Sequence, residues 1–298
     1  MSDSGTYTLV GLGEILWDLL PEGKQLGGAP ANFAYHAQAL GGKGVVVSCI
    51  GDDELGREIT GILTNLGLEQ RYIAFDKDHP TGTVTVELDD KGVPNFTIHT
   101  NVAWDFIPSS PDLLELASRA DAVCFGSLCQ RNEVSRKTVR EFLQATAPDC
   151  LRVFDINIRQ HYYSKDIVQS MLEISNILKL NDDELPIVAK LLGMEGSETD
   201  ILSKLVEQYD LKLVVLTKGD KGSRLYSRDG DSEHPGITPE RIADTVGAGD
   251  AFTAAVAFGV LLGKELDEIN EHANKVASFV CSQSGATPVL PESLVFQT

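Results

Sequence analysis

An α/β sandwich with a mostly parallel central sheet, helices on both faces and a small β-sheet lid is the fold predicted by three features of this 298-residue chain. Short β-branched runs alternate with amphipathic or alanine-rich stretches of helical period, the pattern of crossover units around a parallel sheet. An apolar run from Ala251 to Leu262 is too short for a bilayer, which takes about 20 residues, and reads as a core helix. One region, from about Tyr72 to Ile107, breaks the alternation with strand patterns that have no helix between them.

The elements follow in order. A strand leads into Gly11-Leu-Gly13-Glu14-Ile15-Leu16-Trp17-Asp18; residue 16 is Leu, so the third glycine of a dinucleotide fingerprint is missing and that reading is rejected. Gly27-Gly28-Ala29-Pro30-Ala31-Asn32 opens an alanine-rich helix that runs to Leu40 and stops at Gly41-Gly42, with proline in the first turn and glycine past the end, as helix termini favour. Strands are expected near Val45 to Ile50, Ala122 to Phe125, Arg152 to Asp155, Ile177 to Leu180 and Leu213 to Thr217, and helices near Asp53 to Asn65 and Asn132 to Ala147. Thr81 to Leu88 and Asn95 to His99, joined through Asp89-Asp-Lys-Gly92, read as an antiparallel hairpin. With residues 14–21, the stretch 72–107 is expected to form a lid over the mouth of a site, within a single domain spanning 1–298. An exposed sheet of this kind commonly finds a partner, so a homodimer through the lid is expected.

Twenty-five Lys and Arg against 44 Asp and Glu give a net charge of −19, which disfavours nucleic acid and anionic membrane as partners. The five cysteines are scattered without a Cys-x-x-Cys pair and read as small apolar residues of a reducing compartment. Residues 1–6 lack a basic region followed by an apolar run, so no signal or transit peptide is expected and a cytoplasmic location is. The histidines lack zinc spacing, no Gly-x-Ser-x-Gly elbow occurs, and no P-loop sequence is present.

The most informative segment is Asp244-Thr-Val-Gly247-Ala248-Gly249-Asp250-Ala-Phe-Thr-Ala-Ala255. A glycine turn opening an apolar helix points backbone N–H groups and a partial positive charge at an anion, and places Asp250 within reach of whatever attacks it. Asn32 offers donors and an acceptor beside a glycine backbone that a ligand can approach, which suits sugar hydroxyls.

The two glycine segments, more than 200 residues apart, resemble the N- and C-terminal signatures of the ribokinase-like carbohydrate kinases (phosphofructokinase B family), with most similarity to fructokinases. The resemblance covers most of the chain and implies a ribokinase-like sandwich that phosphorylates a sugar hydroxyl with ATP and Mg²⁺. It implies Asp250 as the base, with Gly247, Ala248, Gly249 and Arg159 (in Asp155-Ile-Asn-Ile-Arg159) stabilising the transferred phosphoryl group. Asp18, Gly28, Asn32 and Asn101 would meet the sugar. Asn181, Thr217, Gly219, Gly222, Gly249 and Asn274 would meet the nucleotide, and Glu184 of Asn181-Asp-Asp-Glu184 would hold Mg²⁺ through water. Read alone, Asn274 is an exposed helix position, and Asn181 is a helix cap. Asp244 with Ser284-Gly-Ala286 matches the outline of a K⁺ site. The return strand, Phe96-Thr-Ile-His99-Thr-Asn101, lacks the arginine that such fructokinases often carry. Fructose heads the candidates, and ribose, another ketose and a keto-deoxy acid such as 2-keto-3-deoxygluconate stay open; a phosphorylated sugar, which would want a basic clamp there, is disfavoured. A non-catalytic sugar or nucleotide sensor with this fold would be marked by loss of the base or phosphate-site residues, all of which are present.

Overall fold

The computed structural model describes residues 6–20, 23–88 and 94–296. Strand β1 (Thr8–Leu12) is followed by β2 (Leu16–Leu20), β3 (Gly23–Gly27), helix α1 (Ala29–Ala39), β4 (Lys43–Gly51), α2 (Glu54–Asn65) and β5 (Ile73–Asp76). The hairpin β6 (Gly82–Leu88) and β7 (Pro94–Ile98) comes next, then α3 (Pro111–Arg119), β8 (Ala122–Phe125), α4 (Glu133–Ala145), β9 (Leu151–Asp155) and α5 (Lys165–Leu172). The chain continues through β10 (Ile177–Asn181), α6 (Glu184–Leu192), α7 (Glu198–Tyr209), β11 (Leu213–Thr217), β12 (Ser223–Tyr226), β13 (Asp231–His234), α8 (Ala248–Leu261) and α9 (Leu266–Cys281).

Among the described residues nine strands form the central sheet, in the order β13-β12-β11-β10-β9-β8-β1-β4-β5. It is parallel from β5 to β11 and antiparallel only at the β12–β13 edge. Alternation along β1 sorts its side chains between two cores. Leu9 joins Phe33, Phe252 and Phe258 under α1, α8 and α9, whereas Val10 and Leu12 join Phe142, Met171 and Leu205 under the helices of the other face. The chain order reverses at β1, which lies between β8 and β4, so the crevice outside the carboxyl ends of β1 and β8 is where an open α/β sheet receives a ligand.

The expected strands and helices are present with boundaries shifted by one or two residues. Asp53 and Asn132 cap α2 and α4 through their side chains, and the apolar core helix starts earlier than its apolar run, at Ala248. Four strands in the order β3-β2-β6-β7 form the small sheet, with β2 and β6 parallel. Strand β3 was not anticipated: Gly-Lys-Gln-Leu-Gly has little β propensity, and β2 makes it a strand by pairing with it. The expected turn Asp89–Gly92, Pro21 at the end of the first lid segment and residues 1–5 lie outside the described residues. Trp17 anchors one side of the small sheet by donating its indole N–H to Leu55 O at 3.0 Å, and the fully buried Trp104 fills the space under Gly82.

Helix α1 lies unusually close to the sheet. A Cβ on Gly11 would overlap the Pro30 carbonyl, and one on Gly44 the Ala34 carbonyl. Gly11→Ala is therefore expected to destabilise by about 1–3 kcal/mol, because backbone rather than a flexible side chain must move. Gly61→Ala, in an exposed turn of α2 with nothing within 4 Å, should instead stabilise by about 0.5–1 kcal/mol. Urea midpoints of the two variants moving in the same direction would contradict this account of the α1 contact.

Candidate active site

Two glycine-initiated helices meet at the crevice. Gly28 precedes α1 with φ of 119° and Gly247 precedes α8 with φ of 78°, and neither helix start has a side-chain cap. Ala248 N donates to Thr245 O at 3.4 Å, and the next amides of the first turn of α8, those of Gly249 and Asp250, are left for a ligand. Gly247 could not be replaced without strain, since a Cβ there would stand 2.5 Å from Ala286 O. Asp250 projects from the first turn of α8 and accepts a hydrogen bond from Asn32 Nδ2 at 2.8 Å, so the two sequence signatures touch. Asp250 keeps a partly accessible face but is otherwise enclosed; burial and the nearby Asp155 charge raise its pKa to about 6, against the opposing pull of Asn32, Lys179 and Arg159.

Beneath the turn lies a group that motif reading missed. Lys179 Nζ donates to Asp155 Oδ1 at 3.0 Å and stands 3.5 Å from where a Cβ on Gly249 would be. The Thr253 hydroxyl sits between Asp155 Oδ2 at 3.0 Å and Gly249 O at 2.9 Å, which braces the anion-facing turn from below. Burial opposes the charge of Lys179, but Asp155 and Glu184 more than offset it, and its pKa stays above the ordinary value. The signal in the sequence was a lysine inside the otherwise apolar strand Ile177-Leu-Lys-Leu.

Among the residues expected to meet the sugar, Asp18 lies on β2 against Gly27, where a Cβ would collide with its carboxylate. Burial raises its pKa and Arg159 lowers it. Arg159 itself is exposed, yet its charge lowers the pKa values of Asp18, Glu14 and Asp250 alike. Asn101 is exposed at the end of the lid hairpin with φ of 60°, a left-handed conformation that asparagine tolerates better than most residues. Glu14, a further residue not singled out from the sequence, is buried, and its pKa is raised to about 7 by burial.

Among the residues expected to meet the nucleotide, Asn181 Oδ1 accepts from the amides of Asp183 at 3.0 Å and Glu184 at 2.8 Å, capping α6 as its local sequence suggests. Glu184 is buried and accepts from Ile158 N at 2.7 Å and Asn181 N at 2.9 Å. Each oxygen keeps a second acceptor direction, so the carboxylate fits a hydrated Mg²⁺, an ion that retains waters on one or two carboxylates. Thr217 ends β11 and leads into the turn at Gly219, and Gly222 is required by the adjacent hairpin, where a Cβ would collide with His234 O. The exposed-position reading of Asn274 is corrected: it is buried, and its amide donates to Ser223 Oγ at 2.7 Å and to Asn270 O at 2.8 Å. Its neighbours Lys275, Ser278 and Phe279 instead line a groove of about 480 Å³ closed by Ile237, Pro239 and Arg241.

Asp244 and the 284–286 segment come together: Asp244 Oδ2 accepts from Gly285 N at 3.3 Å, and its Oδ1 accepts from Val246 N at 3.0 Å. The buried His36 contacts Ala286 O through Nε2 at 2.9 Å; burial lowers its pKa to about 4, so it is neutral and the Nε2–H donates. All five cysteines are free, and no helix among the described residues is long and apolar enough to cross a membrane.

The pfkB family carbohydrate kinase model matches residues 22–293, and the chain belongs to that family. It is thus a carbohydrate kinase with the ribokinase-like fold. It is 29% identical over 314 residues to fructokinase-1 of Zea mays, covering 97% of this chain and 96% of the relative, and 30% identical over 317 residues to probable fructokinase-5 of Arabidopsis thaliana, covering 97% and 95%. An uncharacterized sugar kinase of Pyrococcus horikoshii superposes with a TM-score of 0.80 at 28% identity, covering 94% of this chain and 93% of that one. A second structure of the Pyrococcus protein, in complex with ATP, superposes with a TM-score of 0.76.

A carboxyl whose pKa is raised by folding binds its proton more tightly in the native state, so its contribution to stability is lost as pH rises from the unfolded value, near 3.8 for Asp250, to the folded value of about 6. Asp250→Asn is therefore expected to raise the thermal midpoint at pH 7 relative to wild type, with the gain vanishing near pH 4. Equal shifts at both pH values would show that Asp250 is not held against its ionisation.

Proposed function

We propose that the protein transfers the γ-phosphoryl group of ATP to a hydroxyl of a sugar, with fructose the leading candidate. The observation that carries this reading is Asp250, held by Asn32 in the first turn of a helix whose glycine start leaves its amides open. Asp18, Gly28, Asn32 and Asn101 hold the sugar so that one hydroxyl meets the Asp250 oxygen not bonded to Asn32. Asp250 accepts the proton of that hydroxyl as it attacks. Its raised pKa makes it a stronger base than a solvated aspartate while leaving it mostly ionised at pH 7. The amides of Gly247, Ala248 and Gly249, backed by Lys179 and assisted by Arg159, stabilise charge on the phosphoryl group in transit. Asn181, the Thr217–Gly222 turn and the groove beside Asn274 hold the nucleotide, with Gly249 facing its terminal phosphates. Mg²⁺ bound through water at Glu184 would neutralise phosphate charge. The fructokinase relatives and the ATP complex of the Pyrococcus sugar kinase support the substrate pair. A K⁺ ion beside Asp244, a homodimer formed through the lid and a cytoplasmic location complete the proposal.

The test is ADP release from ATP and Mg²⁺ with fructose, ribose, glucose, mannose, 2-keto-3-deoxygluconate, adenosine and fructose 6-phosphate. Selective turnover of fructose is expected, and silence across the panel would overturn the kinase reading in favour of a sensor. Asp250→Asn should lower kcat by about 10²- to 10⁴-fold while leaving sugar binding measurable by calorimetry. In wild type, kcat should fall about tenfold per pH unit below about 6, as Asp250 takes up its proton. Replacing K⁺ by a bulky organic cation should slow turnover; an unchanged rate would remove the cation from the proposal.

A further inference from the structure

We propose that Glu14 and Arg131 form a polar subsite beneath the lid that binds a non-reacting hydroxyl of a neutral sugar and selects against sugar acids. The inference rests on the sugar-kinase reading and narrows its substrate class.

Glu14 follows β1 at the point where the strand order reverses, and it is 3% exposed. Its Oε2 is buried without a hydrogen-bond partner. Its backbone abuts the start of α1, since a Cβ on Gly28 would stand 2.5 Å from Glu14 O, and α1 carries Asn32 to Asp250. The backbone of Glu14 therefore lies against Gly28, which the proposed function puts at the sugar.

Arg131 ends the short helical turn Leu128–Arg131 that follows β8, the strand beside β1. The two segments touch: a Cβ on Gly13 would stand 3.3 Å from Cys129 Sγ. Asp105 grips the guanidinium from Nε at 2.7 Å and Nη2 at 2.9 Å, and Nη2 also donates to His99 O, at the end of the lid hairpin, at 2.6 Å. The guanidinium lies over Trp104 at 4.0 Å and Tyr162 at 4.7 Å. Nη1 alone is left buried and unpartnered, as is the indole Nε1 of Trp104. The guanidinium that the lid's return strand lacks is thus delivered to the same corner from the neighbouring loop.

A buried carboxylate oxygen and a buried guanidinium N–H, each unpaired, are costly to leave so. They are not bonded to each other, the Arg131 charge acts on Glu14, and a hydroxyl reaching both would donate to Glu14 and accept from Arg131. Where Glu14 is ionised, about half of the molecules near pH 7 with its pKa of about 7, a carboxylate or phosphate cannot donate to it and faces its charge, while the positive charge of Arg131 is already matched by Asp105. The subsite therefore takes hydroxyl chemistry, supplied either by the sugar or by a resident water.

Steady-state kinetics of wild type, Glu14→Gln and Arg131→Lys, with thermal midpoints recorded, separate the possibilities. Wild type should turn over a neutral sugar and discriminate against 2-keto-3-deoxygluconate. Both variants should raise KM for the sugar at least about tenfold, the loss expected for a hydrogen bond to a charged group, and leave KM for ATP unchanged. Monodeoxy analogues of the accepted sugar give a readout without any variant: in wild type one should lose at least about tenfold in kcat/KM, and that loss should disappear in Glu14→Gln. Variants with lowered thermal midpoints and unchanged sugar KM, or analogues that all perform alike, would assign the subsite to water and overturn the proposal. Preferred turnover of the sugar acid by wild type would overturn the proposal while sparing the kinase reading, whereas wild-type silence with every sugar would remove the kinase reading itself.

Discussion

The hydrogen bond from Asn32 to Asp250 can form only because the first turns of α1 and α8 lie side by side on the same face of the sheet. Much of the surrounding architecture serves that placement. Gly11 and Gly44 remove the side chains that would hold α1 away from β1 and β4, and Gly42 does the same where the end of the helix meets Leu9 and Phe258. Ala286 fixes the start of α8 by contact with Gly247, and the buried His36, from the last turn of α1, holds Ala286 by its carbonyl. The same pair of helices thus sets Asp250, the amides at the start of α8 and the loop behind them.

A chain with a net charge of −19 that handles a polyanion must solve a local problem of sign. The structure does so with few charges. Lys179 is buried under the turn that starts α8, the charge of the exposed Arg159 acts on three carboxylates, and α1 and α8 aim their N-terminal dipoles at the crevice. Low dielectric makes the buried Lys179 count for more than the exposed Arg159. It also raises the cost of ionising Asp250 and Glu14, so the environment that favours phosphoryl transfer also shifts the acids toward neutrality.

Much of the site was legible because its chemistry needs residue types that leave marks in one dimension. Gly247 and Gly28 must adopt positive φ, Asp250 must sit in a first helical turn, and Asn181 must precede an acid by three residues for its cap to close. Glu14, Arg131 and Lys179 left weaker marks. Each acts through partners from distant segments: Glu14 beside Gly28, Arg131 on Asp105 and Trp104, and Lys179 on Asp155. Asn274 shows the converse, since an asparagine in a mixed helix gives no hint that Ser223 and Asn270 will enclose it.

By itself, then, the order of residues determined the alternation that builds the parallel sheet, the helix-free hairpin of the lid and the two glycine-started helices, because these depend on periodicity and backbone freedom within short windows. Packing decided the rest. Strand β3 exists because β2 pairs with it, the Asp250 pKa is set by enclosure beside Asp155, and the guanidinium at the lid comes from the loop after β8 rather than from the lid itself. Burial, charge proximity and hydrogen bonding between remote segments are properties of three-dimensional distance, and no local pattern of side chains encodes them.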